Sequence, residues 1–178
     1  MHDADGMLER AGERWRLRFT RRLAHPPERV WRSLTEPGRL AASFPGRLIG
    51  DLTIVGAPLR FEHEAGAYEP FDGEVLACVP PQLLEFRWGP DTIRFEVAPA
   101  GEGSTLTLID TFAQLGKAAR DGAGWHVCLE RLEQALGGDT APVAVAARRR
   151  QVDPDYIDRF GPEGSTLGPP QPGFSAAG

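Results

Sequence analysis

Ala118-Ala119-Arg120-Asp121-Gly122-Ala123-Gly124-Trp125-His126-Val127-Cys128-Leu129-Glu130-Arg131-Leu132-Glu133-Gln134-Ala135-Leu136-Gly137-Gly138 is the stretch whose reading decides the fold. Trp125, Leu129, Leu132 and Leu136 recur at three- and four-residue spacing, with Cys128 beside them, so a helix would carry them as one apolar stripe. Glu130, Arg131, Glu133 and Gln134 take the remaining surface. Asp121 is placed to cap the first turn, and Gly137-Gly138 to stop the last one. Gly122 and Gly124 are poor helix formers and blur the start. An apolar stripe this wide must be buried, and nearly everything before it is strand-like, so its partner is a sheet.

The earlier residues supply that sheet. Residues 1–12 read as a flexible N-terminal arm. From Glu13 to Leu23, Trp15, Leu17, Phe19 and Leu23 alternate with arginines and Thr20, the signature of a half-buried strand. His25-Pro26-Pro27 ends it and opens a short helix carrying Val30, Trp31 and Leu34; Thr35-Glu36-Pro37 opens a second one. Strands follow at Arg47–Val55, Leu59–Glu64, Phe71–Val79, Leu83–Trp88, Thr92–Pro99 and Ser104–Gln114. The turns between them, such as Gly89-Pro90-Asp91 and Ala100-Gly101-Glu102-Gly103, are short, so the strands are antiparallel. The count is seven.

After Gly138 the composition shifts to six Pro and five Gly in 40 residues, which reads as an extension, 139–178, rather than a second domain. Within it, Asp153-Pro154 as a helix start and Gly161 as a stop predict a short helix near 153–160, with Tyr156, Ile157 and Phe160 on one side. A helix that short needs its apolar side buried to persist.

Composition excludes several classes. The chain has 178 residues and a formal net charge of -5, and its longest basic run is Arg148-Arg149-Arg150, which argues against nucleic acid. The triplet reads as a solvated basic run in a linker. Cys78 and Cys128 have neither metal nor redox spacing. The four histidines form no metal-binding pattern. The expectation is therefore no metal and no cofactor. No apolar run approaches the roughly 20 residues of a membrane helix, and the polar N-terminus lacks the apolar core of a signal peptide, so a soluble cytoplasmic protein is expected.

Strand, two short helices, six strands and a long C-terminal helix resemble the helix-grip fold of the START, Bet v 1-like or SRPBCC superfamily. The sequence is most similar to the branch of activator of heat-shock chaperone ATPase homologues. The residues carrying this are His25-Pro26-Pro27-Glu28-Arg29-Val30-Trp31, Leu34-Thr35-Glu36-Pro37, Phe71-Asp72-Gly73-Glu74-Val75, Leu83-Leu84-Glu85-Phe86-Arg87-Trp88-Gly89, Gly124-Trp125 and Leu129-Glu130-Arg131-Leu132. The resemblance spans about 13–138 and implies an α+β domain, a curved antiparallel sheet around the long helix with a cavity between them.

That cavity would be lined by Phe61, His63, Phe86, Trp88, Phe95, Leu108, Phe112, Trp125 and Leu129, rings that suit a hydrophobic or aromatic small molecule. The same rings could instead fill a small core. His63 and Asp110 are polar side chains in phase with the apolar sets. Pointing inward, they could orient a ligand carbonyl or act as an acid–base pair; otherwise they are a solvent-facing strand-end His and an Asp at a twist. His126, beside the helix stripe, either reaches the cavity mouth or packs. Three functions follow from the resemblance: a ligand-binding protein without covalent catalysis, a polyketide cyclase or dehydratase-like enzyme, or a chaperone-activator-like module binding a protein partner. A homodimer stays open.

Overall fold

The computed structural model describes residues 6–63, 69–139 and 144–168. Eight strands form one antiparallel sheet: β1 (Met7–Ala11), β2 (Arg14–Leu23), β3 (Arg47–Ile49), β4 (Pro58–Glu62), β5 (Phe71–Val79), β6 (Leu83–Trp88), β7 (Asp91–Ala100) and β8 (Gly103–Phe112). Their order across the sheet is β1-β2-β8-β7-β6-β5-β4-β3. Helices α1 (Pro27–Thr35) and α2 (Pro37–Leu40) follow β2; α3 (Ala118–Leu136) and α4 (Val145–Phe160) follow the sheet.

The expected seven strands are therefore eight. The extra one is β1, inside the stretch read as an arm, where Met7 to Ala11 pair with Arg18 to Arg14. It carries no alternating burial, because as an edge strand it is held by backbone hydrogen bonds rather than by an apolar face. The strand expected over Arg47–Val55 stops at Ile49: Gly50 takes φ 128°, where the backbone of Pro58 leaves no room for a side chain.

Elsewhere the alternation in sequence sets the inner face. Leu17, Asp110, Ile93, Phe86 and Val75 are paired in turn across β2, β8, β7, β6 and β5, and Phe19, Leu108, Phe95 and Leu84 form the next row. All are buried, and Asp110 is the one carboxylate among these two apolar rows. Arg21, in phase with them, is also buried and reaches Glu133 of α3 at 2.9 Å.

Helix α3 lays Trp125, Leu129, Leu132 and Leu136 on this face. Asp121 is not its cap, since the helix starts three residues earlier and Asp121 pairs with Lys117 at 3.0 Å. At the other end, Arg29 of α1 donates from Nη2 to the carbonyl of Leu136 at 2.8 Å, satisfying one of the carbonyls a helix end leaves open.

A second face of α3 is covered by α4. The expected helix near 153–160 is twice as long, and Asp153-Pro154 lies inside it rather than at its start. Arg148, read as part of a linker, is helical and pairs with Glu130 of α3 at 2.6 Å. The buried residues of α4 are Val152 and Tyr156, with Phe160 packed below; Ile157 turns outward, 47% exposed. Gly122 is what lets the helices approach: a Cβ there would lie 2.7 Å from the Tyr156 ring. The Tyr156 hydroxyl accepts from the Gly6 amide at 3.0 Å and lies 3.0 Å from His126 Nδ1, so α4 ties the N-terminus to α3.

Leu132→Asp is expected to abolish cooperative folding. The site is 3% exposed mid-stripe, and an unpaired carboxylate there costs several kcal/mol against a total stability of about 5–15 kcal/mol. A urea melt within about 0.5 kcal/mol of wild type would contradict helix-on-sheet packing.

Candidate functional site

One cleft, about 380 Å3, opens where the N-terminal half of α3 stands away from the sheet. Its apolar wall is Phe71, Trp88 and Trp125; the β6–β7 turn, Gly89-Pro90, forms a rim, and Arg149 of α4 the opposite one. Trp88 is the hub of these rings, 4.8 Å from Phe71, 5.8 Å from Trp125 and 5.2 Å from Phe44 between centroids, with the Phe71 and Phe44 pairs edge-on. A wider, more polar groove of about 730 Å3 adjoins it beyond Pro45, His63 and Arg149, which line both.

The structure divides the expected lining. His63, Trp88 and Trp125 face the cleft, as does Asp110. Phe61, Phe86 and Phe112 do not: they are at most 1% exposed and packed as core. Phe95, Leu108 and Leu129 meet Phe44 and Trp125 around a residual gap of only about 20 Å3. Phase placed all of these on the inner side of the sheet or helix, but α1, α2 and α3 close over most of that face, leaving open, among the described residues, the end near Trp88.

His63 lies just past β4, half-buried beside Phe71 and Trp88 at 5.7 and 6.1 Å, and burial lowers its basicity. His126 is buried away from the cleft, on the α4 side, with Nε2 3.1 Å from Glu130. Cys128 lines the cleft, and burial pushes its thiol up to about 12, so it is no nucleophile at neutral pH.

The chemistry concentrates at the inner end. Asp110 is 2% exposed; its Oδ2 accepts the indole N–H of Trp125 at 3.0 Å, and its Oδ1 has no hydrogen-bond partner among the described residues. Beside it is an ion cluster. Lys117 donates to Asp91 and lies 3.0 Å from Asp121, while Arg14 approaches Asp91 at 4.0 Å. Burial opposes the Lys117 charge, but the Asp121 carboxylate, together with the hydrogen bond to Asp91, outweighs it and holds the ammonium on. Burial raises Asp91 as well, against the hydrogen bond from Lys117. Asp110 is raised furthest, first by complete desolvation and then by the negative charge of Asp121. Sequence reasoning missed Asp91 and Lys117. Asp91 carried a signal, being in phase with Ile93, Phe95 and Val97, but it was read as a turn residue. Among the described residues no cluster suits a metal ion.

Comparison with known proteins follows the same outline. The family model described as activator of Hsp90 ATPase homolog 1-like protein matches residues 24–137, from the approach to α1 to the end of α3. The chain belongs to this family. Activator of Hsp90 ATPase homolog 1-like proteins are Bet v 1-like SRPBCC folds, and solved structures agree. The conserved protein EF2215 from Enterococcus faecalis superposes with TM-score 0.71 at 20% identity, over 87% of this chain and 90% of its own. CalU16 from Micromonospora echinospora gives 0.71 at 22% identity, over 88% and 97%. DynU16, from the dynemicin biosynthetic locus, gives 0.61 at 29% identity, over 68% of this chain and 47% of its own. No curated protein matches the chain. Helix α4 and its Arg149 lie outside the residues that the family model matches. Among the described residues no helix is long and apolar enough to cross a membrane.

Asp110→Asn tests the electrostatics. A folded carboxyl raised above its ordinary 3.8 keeps its proton where the unfolded chain has lost it. Raising pH from about 4 therefore drains stability, by about 1.4 kcal/mol per unit at most, until the folded carboxyl itself titrates. The asparagine removes that slope and keeps the Trp125 bond. The variant is expected to gain on wild type as pH rises, in urea midpoints read between about pH 4 and 7; parallel profiles would show that Asp110 is ionised in the fold.

Proposed function

We propose that this protein binds a small, planar, largely apolar molecule between α3 and the sheet, without covalent catalysis. The observation supporting this reading is the cleft. Its volume, about 380 Å3, falls within the roughly 300–1,000 Å3 of small-molecule sites. Its wall offers the rings of Trp88, Trp125 and Phe71, while the rest of the inner face is filled. Trp88, held edge-on by Phe71 and Phe44, presents its face to a guest without reordering, so little conformational entropy is lost on binding. Arg149 on the rim makes α4 part of the binding unit, together with the domain at 13–138. That DynU16, to which the chain is similar, comes from the dynemicin biosynthetic locus is in keeping with a ligand-binding role.

A second reading has one specific observation behind it. Asp110 is a buried carboxyl favoured in its protonated form at the end of a ring-lined cleft, the arrangement a cyclase or dehydratase-like enzyme would use as a general acid. The third, a protein-binding module, would use exposed apolar surface such as Ile54 and Val55.

Native mass spectrometry of gently purified protein is expected to show a bound small molecule that denaturation releases. An apolar fluorescent dye should compete with it and quench tryptophan emission, and Trp88→Ala should weaken the dye about tenfold, the scale of one lost ring contact. Protein that is bare in the spectrometer, with unchanged tryptophan emission under saturating dye, contradicts the ligand reading.

A further inference from the structure

We propose that Asp110 is a hydrogen-bond donor to the ligand, so that the cleft selects planar molecules bearing an acceptor oxygen, such as a ring carbonyl, over the same skeleton without one. The inference rests on the ligand reading above and assigns the polar half of that recognition.

Asp110 sits in the row Leu17, Asp110, Ile93, Phe86, Val75, where every other member is apolar and buried. Nothing in the packing of that row requires a carboxyl, and a buried polar group without a full set of partners costs stability. Half of the group is accounted for: Oδ2 accepts from Trp125 Nε1 at 3.0 Å. Oδ1 is buried, without a partner among the described residues, on the wall of the cleft.

The neighbours decide which way a hydrogen bond from Oδ1 would run. From β7 comes Asp91, from α3 Asp121, from the turn before α3 Lys117, and from β2 Arg14. Lys117 is engaged by both Asp91 and Asp121, Arg14 approaches Asp91, and Arg120 of α3 pairs with Asp121 at 2.9 Å. None of these cations forms an ion pair with Asp110 among the described residues. Burial and the Asp121 charge both favour the proton on Asp110. Because Oδ2 is taken as an acceptor, the proton resides on Oδ1, where the described residues offer it no acceptor. A ligand carbonyl stacked on Trp88 and Trp125 supplies one.

The test uses 9-fluorenone and fluorene, planar tricycles that differ in a carbonyl against a methylene, titrated into the full chain with tryptophan quenching as readout. Wild type is expected to bind fluorenone about tenfold more tightly than fluorene, the scale of one hydrogen bond to a buried group. Asp110→Asn, whose amide carries a permanent donor, is expected to keep that preference; Asp110→Leu is expected to bind both at the fluorene level. Infrared difference spectra keep the proposal testable if the leucine variant fails to fold. The C=O band of a protonated carboxyl, absent from Asp110→Asn, should shift to lower frequency on adding fluorenone to wild type. Equal binding of both probes by wild type, or a carboxyl band unmoved by fluorenone, overturns the donor role and leaves the cleft as a ligand site. Binding of neither probe overturns the ligand reading for planar molecules, and the donor role with it.

Discussion

Helix α3 has to bury the stripe Trp125, Leu129, Leu132 and Leu136, and the concave face of the sheet is the surface that receives it. The rest of the molecule adapts to that requirement. Arg29 of α1 satisfies the last carbonyl of α3, Arg21 of β2 grips Glu133 from within the sheet, and α4 lies along a neighbouring face with Tyr156 against Gly122. Burial of a large apolar side chain contributes roughly 1.5–3 kcal/mol, so the stripe outweighs any one of these polar ties. The ties fix where along the sheet the helix comes to rest.

That resting position creates the cleft. Toward its C-terminal half α3 sits tightly on Phe95, Leu108 and the helices α1 and α2. Toward its N-terminal half Gly124 and the charged Arg120 and Asp121, with Lys117 just before the helix, replace the leucines on the cleft side. The helix cannot fill the space above Trp88 with such side chains. The ion cluster Asp91, Lys117 and Asp121 closes the inner end instead, and burial, followed by the charge of Asp121, raises the Asp110 carboxyl well above its ordinary range. Fold and site are thus connected through a change of residue type within one helix.

Much of this is legible in the sequence. Period-two alternation gives the strands from β2 to β8 and the inward direction of Asp110; the three- and four-residue spacing gives α3. The misses have physical causes. Strand β1 is an edge held by its backbone, so its side chains carry no pattern. In α4 the arginine triplet and Pro154 hide a helix that is made by Val152 and Tyr156 against a neighbour, not by its own propensity. Phase assigns a side chain to a face but not to a depth along the sheet, which is why Phe61, Phe86 and Phe112 shared the expectation for Trp88 although they are core. Arg21 and Asp91 are charges in apolar phase whose partners, Glu133 and Lys117, come from distant sequence.

The central claim is that the open end of the helix–sheet interface is where a ligand sits. The four tryptophans offer a direct reading of it. Trp88 and Trp125 line the cleft, whereas Trp31 is in the core under α1 and Trp15 lies beneath Arg10 on β2, 4.9 Å from its guanidinium. In a proton–nitrogen correlation spectrum each indole N–H gives one signal. On titration with a planar aromatic ligand, the account predicts that the Trp125 and Trp88 signals move together and saturate while those of Trp15 and Trp31 stay in place. Saturable shifts elsewhere on the protein, with the Trp88 and Trp125 signals still, would contradict it.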